Sequence, residues 1–90
     1  MRKLQYLLQC LSEELVEVAK EASKCIRFSP HHVMSKGISN LDRLNTEMSD
    51  VYAMIELLEE EGISITVDED EIKRKKERIA KYMKISQQQG

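Results

Sequence analysis

Residues 40–62, NLDRLNTEMSDVYAMIELLEEEG, contain the pattern that decides the fold. Apolar residues recur there at alternating intervals of three and four, which is typical of a helix that buries one face. Ser39 or Asn40 can cap the start of this helix, and Gly62 is the residue type expected just beyond its end. We therefore expect a helix that ends just before Gly62 and packs against another element. Its apolar seam consists of Leu41, Leu44, Met48, Val51, Ile55 and Leu58.

A second helix is predicted before this one, from Lys3 to Arg27, because the same alternation of four and three occurs there. Its seam consists of Leu4, Leu8, Leu11, Leu15, Val18, Ala22 and Cys25. Pro30 ends the pattern, since proline lacks a backbone N–H and disfavours helix in the residue before it. The following stretch FSPHHVMSKGISN (28–40) has the composition of a loop.

A third helix is predicted from about Asp68 to residue 84, after an extended linker ISITV (63–67). Acidic residues fill its first turn and basic residues follow, an order that suits the helix dipole. Its apolar stripe is narrow, with Ile72, Ile79 and Met83, and SQQQG (86–90) reads as a tail. The chain is thus expected to be a single all-α domain over residues 1–90, with a core over 3–62 and a C-terminal helix over 68–84. The expected architecture is an antiparallel bundle of about three helices.

The bulk composition limits the possible functions. A chain of 90 residues with one Phe, three Tyr and no Trp forms a thin core, so we expect oligomerisation to complete the bundle, as a homodimer or a homotetramer. A net charge of −2 argues against nucleic-acid binding. No apolar run reaches the length of a membrane span. Cys10 and Cys25 are too far apart on one helix to pair, which favours reduced thiols and a cytoplasmic location.

Acidic residues lie at the border of both seams. On the first helix, Glu14 falls about 20° outside Leu7, and Glu17 lies about 60° further round on the same flank. Glu13 faces water, and Glu21 borders the seam. On the second helix, Glu47 projects between Met54 and Leu58, and Asp50 between Met54 and Leu57. Burial of an unpaired carboxylate costs several kcal/mol, roughly. Unless these acids are protonated or lie at an open rim, a positive group is therefore expected to meet them.

An antiparallel pair of helices would bring four of these carboxylates together, those of Glu14, Glu17, Glu47 and Asp50. Hard oxygen donors of this kind favour Mg²⁺, with Mn²⁺ as a possible substitute. Because magnesium keeps water ligands and binds phosphates, the expected ligand is a phosphorylated small molecule.

Two motifs carry a resemblance to a known family. EELVE (13–17) fits the pattern EExxE, and EMSD (47–50) fits ExxD. In this order, over residues 5–62, they resemble the MazG-like all-α nucleoside triphosphate pyrophosphohydrolases, particularly the small phage and bacterial members. The stretch between the motifs is at or slightly beyond the long end of the usual spacing, with the extra length in the loop from Pro30 to Gly37.

The resemblance implies hydrolysis of a nucleoside triphosphate between its α and β phosphates, by a homo-oligomer. It implies that Glu14, Glu17, Glu47 and Asp50 hold Mg²⁺. Either Glu17 or Glu13 is the expected catalytic carboxylate that orients the attacking water.

Four further residues are candidates for substrate binding. Lys24 and Arg43 are the preferred phosphate contacts, Arg27 lies further toward solvent, and Asn40 offers a polar contact. Each could equally be structural, for example in an ion pair between Arg43 and Glu47. Other readings also remain open. His31 and His32 are expected to be exposed loop residues, with contact to a base or a phosphate as the alternative. Phe28 and Tyr52 are base-stacking or packing residues, and the whole chain could be a non-catalytic module for oligomerisation or nucleotide binding.

Overall fold

The computed structural model describes residues 2–89. Helix α1 is followed by two short strands and then by helices α2 and α3, so the all-α prediction is confirmed apart from a small ribbon. Met1 and Gly90, the ends of the predicted domain, lie outside the described residues. The bounds are α1 Lys3–Phe28, β1 Val33–Ser35, β2 Ile38–Ser39, α2 Asn40–Glu60 and α3 Glu69–Gln89.

Helices α1 and α2 form an antiparallel hairpin. At one end the ammonium group of Lys3, in the first turn of α1, pairs with the carboxylate of Glu61, just after α2. At the other end the backbone N–H of Leu41 donates to the carbonyl of Pro30 at 2.8 Å. These contacts fix which positions of the two helices face each other.

Both ends of α2 are capped as its sequence predicts. The hydroxyl of Ser39 accepts a hydrogen bond from the N–H of Asp42 at 3.1 Å. At the other end Gly62 has a φ of 86°, and the N–H of Ile63 donates to the carbonyl of Leu58 at 3.0 Å. This bond is the long one of a Schellman motif, in which a glycine with positive φ ends the helix.

The predicted loop over 28–40 contains a short antiparallel ribbon, which the sequence prediction missed. Strands β1 and β2 pair with Val33 opposite Ser39 and Ser35 opposite Ile38. Lys36 and Gly37 form the connection with φ values of 59° and 69°. Two successive positive φ values are those of a type I′ turn, whose twist matches that of paired strands.

Helix α3 differs from the prediction in its length and its packing. It begins after Asp68, whose Oδ1 accepts from the N–H of Asp70 at 2.8 Å, and it runs to Gln89. The predicted end at residue 84 is wrong, because the residues up to Gln89 include no glycine or proline and glutamine supports helix well. The linker 63–67 has no regular structure, as predicted. Residues 69–87 are all exposed, and α3 packs against neither α1 nor α2 to any substantial extent. A three-helix bundle is therefore not formed within one chain.

The core of the hairpin is small. Of the residues whose burial the structure describes, the buried apolar ones are Leu7, Val51 and Leu58. Two predicted seam residues of α1, Leu8 and Leu15, remain 43% and 50% exposed. None of the helices in the described part of the chain has a stretch long and apolar enough to cross a membrane.

Candidate metal centre

Three acidic side chains from two helices converge at the middle of the hairpin. Glu14 comes from α1, and Glu47 and Asp50 come from α2, where a spacing of three residues places them on the same face. A carboxylate oxygen of each lies within 4.8 Å of those of the other two. Glu14 and Glu47 are half-buried, and Asp50 is exposed. The structure thus brings together three of the four predicted metal ligands.

The crowding of these acids changes the proton affinity of Glu47. Partial burial is the main cause of a raised pKa for its carboxyl group, because water no longer fully solvates the charged form. A hydrogen bond with Glu14 raises the pKa further, and so does the negative charge of Asp50, Glu14 and Glu17. A hydrogen bond between two carboxyl groups requires a proton on one of them. The cluster therefore holds a proton more strongly than a single exposed glutamate would.

Glu17, the fourth predicted ligand, lies outside the cluster of three but near it. It is half-buried, and its charge acts on Glu47. Its carboxylate stands 3.9 Å from the ammonium of Lys20, a loose surface pair. Glu13 is exposed, and its Oε1 accepts a hydrogen bond from Gln9 at 3.4 Å. Of the two predicted catalytic carboxylates, Glu17 is therefore the one beside the cluster.

Two turns along α1 from Glu14, the carboxylate of Glu21 is buried beside a cation. Its Oε1 accepts a hydrogen bond from Lys24 Nζ at 3.1 Å, and Lys24 itself is mostly buried. Its Oε2 is buried without a hydrogen-bond partner among the described residues. The predicted phosphate contact Lys24 thus already has an anionic partner.

A small open pocket of about 150 Å³ adjoins the acidic cluster. It lies between α1, the ribbon and α2, and it shares Glu47 with the cluster. The residues that line it are Glu21, Ile38, Arg43, Thr46 and Glu47.

The other three predicted substrate contacts differ in their exposure and in their interaction partners. Arg43 lines the pocket and has an interaction of its own. Arg27 is exposed, with its guanidinium 5.4 Å from the centre of the Phe28 ring. Asn40 is fully buried, and its Nδ2 donates to the carbonyl of Ser29 at 3.1 Å. Asn40 therefore holds the loop against the start of α2.

The aromatic and histidine candidates lie at the loop end of the hairpin. Phe28 stacks on His32 with 6.0 Å between the ring centres. His31 and His32 are both exposed, as predicted. Tyr52 is exposed on α2.

The donor set of the cluster suits a hard divalent cation. Three carboxylates offer oxygen ligands only. Burial first, and then the neighbouring acids, raise the pKa of Glu47, and a positive charge at the cluster would stabilise the charged carboxylates. No protein family model, curated protein or solved structure matches this chain. The resemblance to the MazG-like enzymes accordingly depends on the two motifs alone.

Glu21 is an acidic residue of this region for which the sequence predicted no functional role. Its position was recognisable as the border of the α1 seam, seven residues after Glu14. The signal that could have singled it out is Lys24, one turn later, because a cation at this spacing is what a buried carboxylate needs.

Proposed function

We propose that the chain is a Mg²⁺-dependent nucleoside triphosphate pyrophosphohydrolase that cleaves its substrate into a nucleoside monophosphate and pyrophosphate. The observation that carries the proposal is the convergence of Glu14 with Glu47 and Asp50 across the hairpin, within 4.8 Å. The two motifs EELVE and EMSD are the sequence pattern expected for this activity, and three of their acids form the cluster.

In this proposal the four acids of the motifs hold the metal, with Glu14, Glu47 and Asp50 as the central ligands and Glu17 beside them. Bound Mg²⁺ would polarise phosphate oxygens and lower the pKa of a coordinated water. We assign to the Glu17 carboxylate the role of orienting the attacking water or taking its proton, because the charge of Glu17 acts on Glu47. Glu13 is the less favoured candidate for this role, because it is exposed and bonded to Gln9.

Basic groups of the hairpin supply positive charge for the phosphates. Arg43 is the preferred contact, since it lies one helical turn from Glu47 and lines the adjoining pocket. Lys24 remains a candidate, with its charge shared with Glu21. Arg27 is exposed and can reach only a phosphate group that extends toward solvent. The side chain of Asn40 already bonds the loop, and contact with a ligand would be a second role.

The direct test is pyrophosphate release from a panel of ribo- and deoxyribonucleoside triphosphates, with Mg²⁺ or with a chelator. We expect Mg²⁺-dependent release for at least one substrate. Glu47→Gln and Asp50→Asn each remove a charged ligand without changing the side-chain shape, so kcat should fall by roughly 100-fold or more.

Glu56→Gln is the matched control, because Glu56 is exposed on the same helix and outside the cluster. It should retain wild-type activity. Absence of turnover of every triphosphate, together with absence of a Mg²⁺-dependent rise in Tm, would refute the proposal.

A non-catalytic helical module is the second candidate, and the exposed apolar seams favour it. Leu8 and Leu15 on α1 and Ile79 on α3 are all available to another chain. For such a module, Glu14→Gln and Asp50→Asn would leave both oligomeric state and stability unchanged in the presence of Mg²⁺. A nucleotide-binding module without turnover would instead show Mg²⁺-dependent nucleotide binding that these variants abolish.

The proposal includes a homodimer or homotetramer in the cytoplasm. The thin core supports self-association, because burial of a few apolar side chains offsets little of the entropy of folding. A cytoplasmic location is supported by the two free cysteines, Cys10 and Cys25, and by the proposed nucleoside triphosphate substrate.

A further inference from the structure

Glu21, which lines the pocket next to the acidic cluster, carries a buried acceptor without a hydrogen-bond partner among the described residues. Glu21 is 6% exposed, and its Oε2 has no hydrogen-bond partner in the described part of the chain. Leaving a charged oxygen unpaired costs more free energy than leaving a neutral one, so such a group calls for a ligand or a functional explanation. Glu21 lines the pocket although this oxygen itself is covered, so a ligand that donates to the carboxylate has to approach it from the pocket side.

The charge around Glu21 decides what kind of ligand fits. Lys24 Nζ stands 3.1 Å from Oε1 and already balances the charge of the carboxylate. A second metal ion is therefore not needed for neutrality. An anionic phosphate is also a poor occupant of the part of the pocket beside Glu21, because the lining includes the two acids Glu21 and Glu47 and, among its described residues, one basic residue, Arg43. A neutral group with N–H donors adds no charge to the pocket and can donate hydrogen bonds to its acidic residues.

Thr46 adds a second acceptor to the lining of the pocket, from α2. Its hydroxyl donates to the carbonyl of Asp42 at 3.1 Å, so only its lone pairs remain for a ligand. Ile38 provides an apolar wall, which suits the face of a flat ring. At about 150 Å³ the pocket admits one edge of a ring system, whereas pockets for whole drug-sized ligands start at roughly 300 Å³.

The position of the pocket matches the layout of a nucleotide. Glu47 belongs to both the cluster and the pocket, so a ligand held at the cluster reaches the pocket directly. Glu21 lies seven residues after Glu14, which is about 10.5 Å along the helix axis. A nucleotide with its phosphates at the cluster would extend its base in this direction.

We infer that Glu21, supported by Thr46, accepts hydrogen bonds from the amino-bearing edge of the substrate base and makes the site prefer amino over oxo bases. This inference rests on the proposed function and adds the base preference to it. Lys24 is then a positioning residue, which holds the Glu21 carboxylate in place through its ammonium group.

Two pairs of substrates isolate the amino group. dCTP and dUTP differ in an amino and an oxo group on the same ring, and so do dATP and dITP. In the presence of Mg²⁺, we expect kcat/KM of the wild type to favour the amino member of each pair by about tenfold or more, because a site that bonds an N–H rejects the analogue without it.

Glu21→Gln should bring both ratios close to one, because its amide can turn an N–H toward the base and no longer offers a charged acceptor. Thr46→Val should reduce the ratios by a smaller factor, and Thr46 is exposed, so this variant retains the fold if Glu21→Gln does not. Glu56→Gln serves as the control and should keep the wild-type ratios. Wild-type turnover with equal rates for the two members of each pair would overturn the inference and leave the proposed function intact.

If no triphosphate is hydrolysed, calorimetric titration with CMP and UMP tests separately whether the pocket prefers an amino-bearing base. Preferential binding of CMP that Glu21→Gln abolishes would support the pocket assignment even though the proposed function fails. Equal binding of CMP and UMP, or binding of neither nucleotide, would overturn the pocket assignment. A lower Mg²⁺ stoichiometry in Glu21→Gln than in the wild type would also overturn it, because the pocket would then hold a cation.

Discussion

At the scale of single residues, the protonation of Glu47 links the candidate metal centre to stability. Its pKa is raised above the ordinary value of 4.5, first by partial burial and then by the neighbouring acids. The folded chain therefore binds more protons than the unfolded chain between 4.5 and the raised pKa. In that window stability falls as the pH rises, and above it the unfavourable contribution of Glu47 is fully present.

The first prediction concerns the proton that a metal displaces. Mg²⁺ binds the deprotonated carboxylate, so its binding should release protons at pH values just above 4.5 and should weaken as the pH falls. Calorimetric titration of Mg²⁺ in two buffers of different ionisation enthalpy measures this release. Identical heats in both buffers throughout the pH series would contradict the prediction.

The second prediction concerns the charge of Glu47 itself. At a pH above the raised pKa of Glu47 and with a chelator present, Glu47→Gln should raise Tm by a few degrees. The reason is that it removes one of three crowded carboxylates. Addition of Mg²⁺ should raise Tm of the wild type and have little effect on the variant. Glu56→Gln, measured by the same thermal denaturation, should behave as the wild type in both conditions.

The sequence could predict which acids face the groove, because the helical period and the position of the seams determine side-chain direction. Glu14, Glu47 and Asp50 follow from that geometry. The unpaired oxygen of Glu21 could not be predicted in this way. It depends on the rotamers of Lys24 and its neighbours, which are set by packing across the hairpin and not by spacing along one helix.

At the scale of elements, the caps explain why the ends of α2 were predicted well. Ser39 and Gly62 act through local hydrogen bonds and backbone conformation, both of which are encoded in a few neighbouring residues. The ribbon was missed for a related reason. Lys36 has a φ of 59°, a conformation that a lysine seldom adopts, so the turn chemistry was visible only at Gly37.

The third prediction tests the end of α2. Gly62 has a φ of 86°, and a Cβ added there would meet no atom within 4 Å, so the cost of a side chain is purely conformational. Gly62→Ala should reduce the free energy of unfolding by about 1–2 kcal/mol. Urea denaturation at one fixed protein concentration should show a lower midpoint with an unchanged m-value.

Gly62→Asn provides the comparison for that measurement. Asparagine tolerates positive φ better than alanine, so its loss of stability should be smaller. Equal losses for the two variants would indicate that the backbone conformation of residue 62 is not the cause.

At the scale of the whole molecule, the described chain is more extended than a compact domain of the same length. Its radius of gyration is 16.6 Å, compared with about 12 Å expected for a compact domain of this length. The difference arises because α3 stands apart from the hairpin. The sequence predicted three helices correctly but not their separation, since an amphipathic pattern shows that a face is to be buried and does not show in which chain its partner lies.

The fourth prediction is that α3 contributes to self-association. Ile79 lies at the centre of its apolar stripe and is 43% exposed. Ile79→Lys should lower the molar mass measured by light scattering toward that of one chain, and should lower Tm. For the wild type, Tm should rise with protein concentration, as linkage to association requires.

Glu77→Gln changes the net charge by the same amount as Ile79→Lys but lies on another face of α3, so it should leave the molar mass unchanged. A wild type whose mass equals that of one chain at all concentrations would contradict the prediction.

The separation of α3 also determines the order of events when the chain folds. Helices α1 and α2 follow each other in the chain through a short ribbon, and packed helices of this kind form within microseconds to milliseconds, roughly. The final position of α3 does not depend on that packing. If its partner is another chain, refolding after dilution from urea should show a fast phase with a constant rate, followed by a slower phase whose rate increases with protein concentration.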